Sequence, residues 1–236
     1  MNLTMREMTG AAAEASMLGR LALVPDLSGA LYLPDERTLV VADLHLEKGS
    51  AYAARGVLLP PYDSAATLAL LGAAIARYQP ARVIALGDSF HDRGAEARIH
   101  DSCLASLRAL QADRDWLWIS GNHDPQISAA MGGTVLDELE ISGVALRHEP
   151  SHAATRPEIA GHLHPAAKVR MRGRALRRRC FALSATRCVM PAMGAYAGGL
   201  NVRDAAFRPL FGLGLCAHIL GDGRLFRIDQ RLLLPD

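Results

Sequence analysis

The chain reads as an α/β protein, and three features of its sequence say so. Apolar runs alternate with segments of helical spacing through the first half of the chain. Most of the apolar runs end at a short cluster rich in histidine and aspartate, as a strand does when its carboxyl end carries a ligand. The second half then changes to short strand-like runs separated by turn signals, which gives mixed rather than purely parallel sheets.

Taken in order, residues 1–17 are polar and alanine-rich and read as a frayed or helical lead-in. Leu21–Val24 and Ala30–Leu33 are apolar runs joined by a turn at Pro25-Asp26 and Gly29. Thr38–Ala42 is apolar after its first residue, the pattern of a strand covered on both faces. Residues 64–78 are predicted helical, since Leu68, Leu71 and Ile75 recur at three and four. Asp63 or Ser64 would cap the start, and Pro80 lies past the end. Arg82–Leu86 is the next strand. Residues 95–112 repeat the helical spacing through Ile99, Cys103, Leu107 and Leu110, and Trp116–Ser120 follows as a strand. Beyond it, Val144–Arg147, Glu158–Ala160, Ala167–Met171, Cys180–Leu183, Cys216–Leu220 and Arg224–Ile228 read as short strands, the last two joined through Asp222-Gly223. The order strand, helix, strand, helix, strand predicts parallel pairing, with ligands gathered at the carboxyl ends. No repeat, low-complexity linker or boundary interrupts residues 1–236, so one domain is expected.

Composition narrows the function classes. A net charge of +2 does not mark a nucleic-acid binder by itself. No stretch approaches ~20 uninterrupted apolar residues, and the N-terminus lacks an apolar signal core, so neither a membrane span nor secretion is expected. Cys103, Cys180, Cys188 and Cys216 form no CxxC pair and read as buried reduced thiols, which suits a cytoplasmic setting.

The chemistry lies in five clusters: Asp43-Leu44-His45, Gly87-Asp88-Ser89-Phe90-His91, Gly121-Asn122-His123-Asp124, His148 and Gly161-His162-Leu163-His164. They take six of the nine histidines. Each is weak alone, since Asp-x-His is most often a turn. Together they supply enough oxygen and nitrogen donors for two divalent cations. Without a thiolate among them the set suits Mn²⁺, Fe²⁺ or Zn²⁺. Donors at i and i+2 point to one side of an extended chain, so Asp43 and His45 would face the metal while Leu44 enters the core; His162 and His164 repeat the device. Gly87, Gly121 and Gly161 stand where the chain must turn sharply past a metal.

These clusters resemble, in order, the pattern D-x-H, GD-x-x-[DH], GNH[DE], H, GH-x-H of the calcineurin-like metallophosphoesterase superfamily. The runs Asp43–Ser50, Arg55–Asp63 and Met190–Asn201 further resemble a bacterial group described as ligase-associated DNA damage response endonuclease, PdeM. The resemblance implies a four-layer α/β/β/α sandwich with mixed sheets and the metals at its upper edge. Carried over by position, Asp43, His45 and His164 would bind one metal, Asn122, His148 and His162 the other, and Asp88 would bridge them. His123 would be the general acid, and His91 would join it in the catalytic set by orienting the phosphate. His91 stands where phosphatases of the superfamily commonly carry Asp, and histidine there is the form of Mre11-type nucleases, which favours a diester. The implied function is a dinuclear-metal phosphodiesterase, with Mn²⁺ first among the metals and DNA as substrate. A DNA ligase and a helicase would be its functional partners. A small-molecule phosphatase or nucleotide phosphodiesterase is the alternative, and a catalytically silent scaffold a more distant one.

Two metals ~3.5–4 Å apart can clamp a phosphate and acidify a bridging water, whose hydroxide attacks phosphorus in line. His123 then protonates the leaving oxygen, and Asp124 either orients that imidazole or caps the loop. Arg93 and Arg55 are candidate phosphate contacts, although an ion pair of Arg93 with Asp92 or Asp101 is at least as strong a reading. Tyr62 reads as a packing residue. The basic residues Lys168, Arg170, Arg172, Arg174, Arg177, Arg178 and Arg179 read first as a solvated hairpin and second as a rail for a phosphate backbone, because no aromatics interleave for stacking. His100, His152 and His218 lack a partner motif and read as surface or satisfied core histidines. Gly212-x-Gly214 lacks the rest of a nucleotide loop, and Gly198-Gly199 reads as a tight turn.

Overall fold

The computed structural model describes residues 16–236. It begins with strands β1 (Ser16–Leu18), β2 (Leu21–Pro25), β3 (Leu31–Leu33) and β4 (Thr38–Val41). Helices α1 (Lys48–Ala53) and α2 (Asp63–Tyr78) lead to β5 (Arg82–Leu86), and α3 (Ala95–Arg98) and α4 (Asp101–Gln111) to β6 (Asp115–Ile119). Strands β7 (Thr134–Leu136), β8 (Leu139–Ile141), β9 (Val144–Arg147), β10 (Glu158–Ala160), β11 (Pro165–Met171), β12 (Arg174–Leu183), β13 (Arg187–Val189) and β14 (Leu200–Asn201) follow. A short helix α5 (Arg208–Phe211) precedes β15 (Cys216–Leu220) and β16 (Leu225–Asp229). The lead-in expected over 1–17 lies outside the described residues except for Ser16 and Met17, which begin β1.

The first sheet runs β1 to β7 in chain order, antiparallel to β4 and parallel from β4 to β7. The parallel half is the part that the strand–helix alternation predicts. The second sheet has the order β14-β11-β12-β13-β10-β9-β8, with β15 and then β16 adding onto β12. It is mixed: β9, β10 and β13 pair in parallel, while β11 and β12 form a hairpin.

Two-residue periodicity sorts the apolar side chains into layers. Leu39, Val41, Val83, Ala85, Trp116 and Trp118 face Leu68, Leu71, Ile75, Cys103 and Leu107 of α2 and α4. Their neighbours Val40, Ile84, Leu86 and Ile119 face Leu146, Ile159, Phe181 and Cys188 of the second sheet. On its far side Val169, Cys180 and Ala182 pack against Phe207, Leu210 and Phe211. The result is an α/β/β/α sandwich whose last layer is thin, carried by α5 and the turn before it. With apolar contacts on both faces, β4, β5 and β6 need the near-continuous apolar sequence they have.

Several elements depart from their sequence reading. The helix expected over 95–112 is two, because Ile99 and His100 are extended and the His100 ring accepts the Ser102 N–H to start a new helix. Asp63 and Ser64 do not cap α2. Their side chains reach across to α1, where the Asp63 carboxylate accepts the Gly49 N–H and Ser64 donates to Glu47. The basic segment lies on the long β11–β12 hairpin, with the strands turning at Arg172-Gly173, both in the left-handed region (φ +49 and +78). Gly198-Gly199 is not the turn; that falls at Gly194–Tyr196, and Gly199 is needed because a Cβ there would lie 2.9 Å from both Ala166 Cβ and the His164 oxygen. Tyr62 does not pack: it is 70% exposed. All four cysteines are free, and Cys103, Cys180 and Cys188 are buried.

Candidate metal centre

Five strands end at one edge of the sandwich, and each delivers a cluster there. Asp43 and His45 follow β4, Asp88 and His91 follow β5, and Asn122 and His123 follow β6. His148 follows β9, and His162 and His164 follow β10. Pairing of the chain continues past β4 and β5, where the His45 N–H reaches the Asp88 oxygen at 2.9 Å and Leu46 N–H the Ser89 oxygen at 2.8 Å. The neighbouring donor loops are thus tied together before their side chains meet.

Two groups of convergent donors result: Asp43, His45 and His164 in one, and Asp88, His148 and His162 in the other. In the first, His45 Nε2 and His164 Nε2 stand 3.2 Å apart, and His164 Nε2 lies 3.4 Å from the Asp43 carboxylate. In the second, His148 Nε2 is 3.4 Å from Asp88 Oδ1 and 3.2 Å from His162 Nδ1. The groups adjoin, with His148 Nδ1 3.8 Å from Asp43. Asn122 joins the second group through Oδ1, 2.8 Å from His148 Nε2.

The His148 ring shows why a cation fits. Its Nδ1–H donates to the Leu86 carbonyl at 2.9 Å, so in the neutral ring, the form that ligates a metal, Nε2 carries the lone pair. That lone pair faces the acceptor oxygens of Asn122 and Asp88. Acceptors facing acceptors at these distances repel unless a positive charge lies among them. Burial, and after it the neighbouring His164 and Lys48, push the His45 imidazole down to about 2, and burial lowers His162. Both shifts favour the neutral imidazole, the form that ligates a metal.

The backbone is bent to make this arrangement. Asp43, His45, Asp88, His162 and His164 all have left-handed φ, between +43 and +68. Asp43-Leu44-His45 and His162-Leu163-His164 are thus not extended strand, as their spacing suggested, although Leu44 does enter the core. Such conformations cost about 1–2 kcal/mol each for non-glycine residues, and the surrounding packing must hold them. Glycines make the room. A Cβ on Gly121 would lie 2.2 Å from the Asp88 nitrogen, and one on Gly87 2.5 Å from the His148 ring.

Asp124 settles its two readings in favour of the loop. Its carboxylate accepts the N–H groups of Asp88, Ser89 and Phe90 at 2.7–3.0 Å and does not touch the His123 ring. The His123 imidazole is oriented instead by the His91 carbonyl, which accepts from Nδ1 at 2.8 Å. Its Nε2 is turned toward Asp88, 3.9 Å from Oδ2, and the side chain is 42% exposed. The His91 and His123 rings stack with centroids 5.5 Å apart, and burial, then Lys48 and His123, lowers the His91 ring.

The remaining candidates sit farther out. Arg55 and Arg93 are exposed and have no ion-pair partner among the described residues. The ion pair expected for Arg93 does not form, because Asp92 is taken by Arg98 at 2.7 Å. His100 caps a helix, His152 is exposed, and His218 is partly buried on β15. The basic hairpin is not one rail. Its register puts Lys168, Arg170, Arg177 and Arg179 on one face and Arg174 and Arg178 on the other, and Asp236 lies 3.9 Å from Lys168 and 3.4 Å from Arg177. Two supports escaped the sequence reading. Lys48 donates to the Tyr196 carbonyl at 3.0 Å, and its charge reaches His45 and His91. The segment Met193-Gly194 backs the first donor loop through N–H bonds to the oxygens of Ala42 and Asp43. Both lie inside the runs Asp43–Ser50 and Met190–Asn201, and that was their only signal.

Comparison with known proteins bears on this site. The family model described as calcineurin-like phosphoesterase matches residues 36–165, a span that includes all five clusters. A nuclease MPE from Pseudomonas putida, known from a crystal structure, is 30% identical, with a TM-score of 0.71, over 91% of this chain and 99% of its own. A protein of unknown function from Aquifex aeolicus aligns over 54% of this chain and 78% of its own, but at 15% identity and a TM-score of 0.38 it carries no argument. No curated protein matches.

Proposed function

This chain belongs to the calcineurin-like phosphoesterase family, and we propose that it is a dinuclear-metal phosphodiesterase acting on DNA, carried on one domain. The observation that carries the reading is the convergence of Asp43, His45 and His164 beside Asp88, His148 and His162, with Asn122 against His148. In this reading Asp43, His45 and His164 hold one metal, Asn122, His148 and His162 the other, and Asp88 serves both, with Mn²⁺ as the first candidate. Divalent cations bound there supply positive charge to the phosphate oxygens and acidify the attacking water.

The chain's own residues supply the rest. His123 has its Nδ1–H committed to the His91 carbonyl, so an imidazolium proton leaves from Nε2, the atom turned toward the donors. That proton passes to the departing oxygen, and the ring's exposure lets solvent restore it. His91 is a positioning residue through its carbonyl and its ring stack on His123. Arg55 and Arg93, exposed and unpaired among the described residues, are the cations available to phosphate groups beyond the scissile one. The likeness to a nuclease and the histidine at position 91 support a diester in DNA over a phosphate monoester.

The test is hydrolysis of bis-p-nitrophenyl phosphate and of DNA at several salt concentrations, after EDTA and again with Mn²⁺. Activity is expected to disappear and return, and Asp88→Asn is expected to abolish it. Full activity in EDTA, or in Asp88→Asn, would overturn the two-metal reading. Cleavage of mononucleotides in preference to DNA would overturn the substrate.

A further inference from the structure

A second concavity lies outside the donor clusters. A cleft of about 400 Å³ opens between α2 and β12, lined by Ala66, Thr67, Leu70, Arg179, Met193, Gly194, Ala195 and Ala197. None of the seven proposed metal ligands lines it. Its volume is in the range of small-molecule pockets, and its lining is mostly apolar with few polar groups, as such pockets are.

The polar groups are Arg179 and Thr67. Arg179 stands on the face of β12 that, two and four residues on, carries Phe181 and Leu183 into the core between the sheets. An arginine at such a position loses hydration, and burial lowers its pKa. It has no carboxylate partner among the described residues; one N–H donates to the Ala192 carbonyl at 2.8 Å. A guanidinium carries five N–H donors, and holding one carbonyl does not require its charge. Thr67 is buried, and its hydroxyl accepts the Ala195 N–H at 3.0 Å, so its own O–H is left to donate. A half-buried cation and a hydroxyl donor thus converge on a cleft that has no acidic lining residue.

We propose that this cleft is a binding site for a small organic oxyanion, whose charged head pairs with Arg179 and Thr67 and whose short apolar body rests on Ala66, Leu70, Met193 and Ala197. Carboxylates and phosphonate-type groups share the chemistry, since both offer two oxygens to the guanidinium fork. The site does not depend on the phosphodiesterase reading.

Calorimetric titration of the Mn²⁺-loaded full chain with butyrate, and separately with methylphosphonate, tests it by heat of binding rather than by turnover. Wild type is expected to bind at least one of them. Arg179→Gln keeps a donor for Ala192 and is expected to weaken that binding at least about tenfold. Ala197→Leu fills the cleft while keeping Arg179 in the sequence and is expected to do the same, and it decides alone if Arg179→Gln does not fold by circular dichroism. A larger loss of methylphosphonate than of butyrate binding in the variants assigns a phosphate-like head to the cleft, and the reverse a carboxylate. Isotherms that superimpose for wild type and the folded variants, or no binding of either anion by wild type, overturn the proposal.

Discussion

His123 is held by one hydrogen bond to a backbone carbonyl and offers its other nitrogen to the site. A proton donor matters in proportion to how badly the leaving oxygen needs a proton. His123→Ala is therefore expected to cost about 10²–10⁴-fold on diesters with alkoxide leaving groups and far less on p-nitrophenyl esters, compared by kcat/KM. Equal losses on both would remove it from that role. A different histidine responds to acid. Burial, then the nearby Arg227, pushes His218 down to about 4 from an ordinary 6.5. Its folded pKa is depressed, so the unfolded chain binds the proton more readily, and stability falls as pH drops from about 6.5 to about 4. His218→Gln is expected to flatten the fall of Tm across that window. The residue scale is also where the sequence was most readable. Six histidines and two aspartates were picked out by their spacing, and the structure brings all eight to one edge. What spacing hid was the backbone. Left-handed φ at Asp43 or His162 leaves no mark on a sequence that holds no glycine there.

At the scale of elements, the strands of the parallel half were legible because both of their faces are apolar, and their register places β4, β5 and β6 side by side. The breaks were not legible. The split at Ile99–His100 keeps the helical apolar spacing intact on both sides, so periodicity passes straight over it. The short strands β7, β13 and β14 have two or three residues each, too few for a period to show, and unlike the three-residue β10 they are not followed by a donor cluster. Asp63 and Ser64 looked like caps because cap residues and cross-linking residues are the same types. Their actual partners lie on α1, about a helix turn from the first donor loop. Ser64 accepts the Glu47 N–H at 2.8 Å and donates to its carboxylate at 2.7 Å. Ser64→Ala leaves a buried carboxylate short of a donor and is expected to cost about 1–3 kcal/mol in urea unfolding. A loss within error of zero would mean that water replaces the hydroxyl.

At the scale of the molecule, three apolar layers and two sheets account for the sandwich, and Leu, Val, Ile and Ala fill it with few aromatics. The donors come from strands of both sheets, and His45 and His164, 3.2 Å apart, are separated by 119 positions along the chain. Any ion held between them closes a very long loop, so the unfolded chain has no equivalent site, and binding energy becomes folding energy. Mn²⁺ at 100 times its dissociation constant is expected to add about 2.7 kcal/mol to unfolding stability, read as a rise in Tm reversed by EDTA. An unchanged Tm would mean that the centre is loosely attached to the fold. The five strand ends therefore act on time as well as on chemistry: an ion seated among them is a clasp across the rim of two sheets. Metal supply would set how long the chain survives a protease, even when no substrate is present.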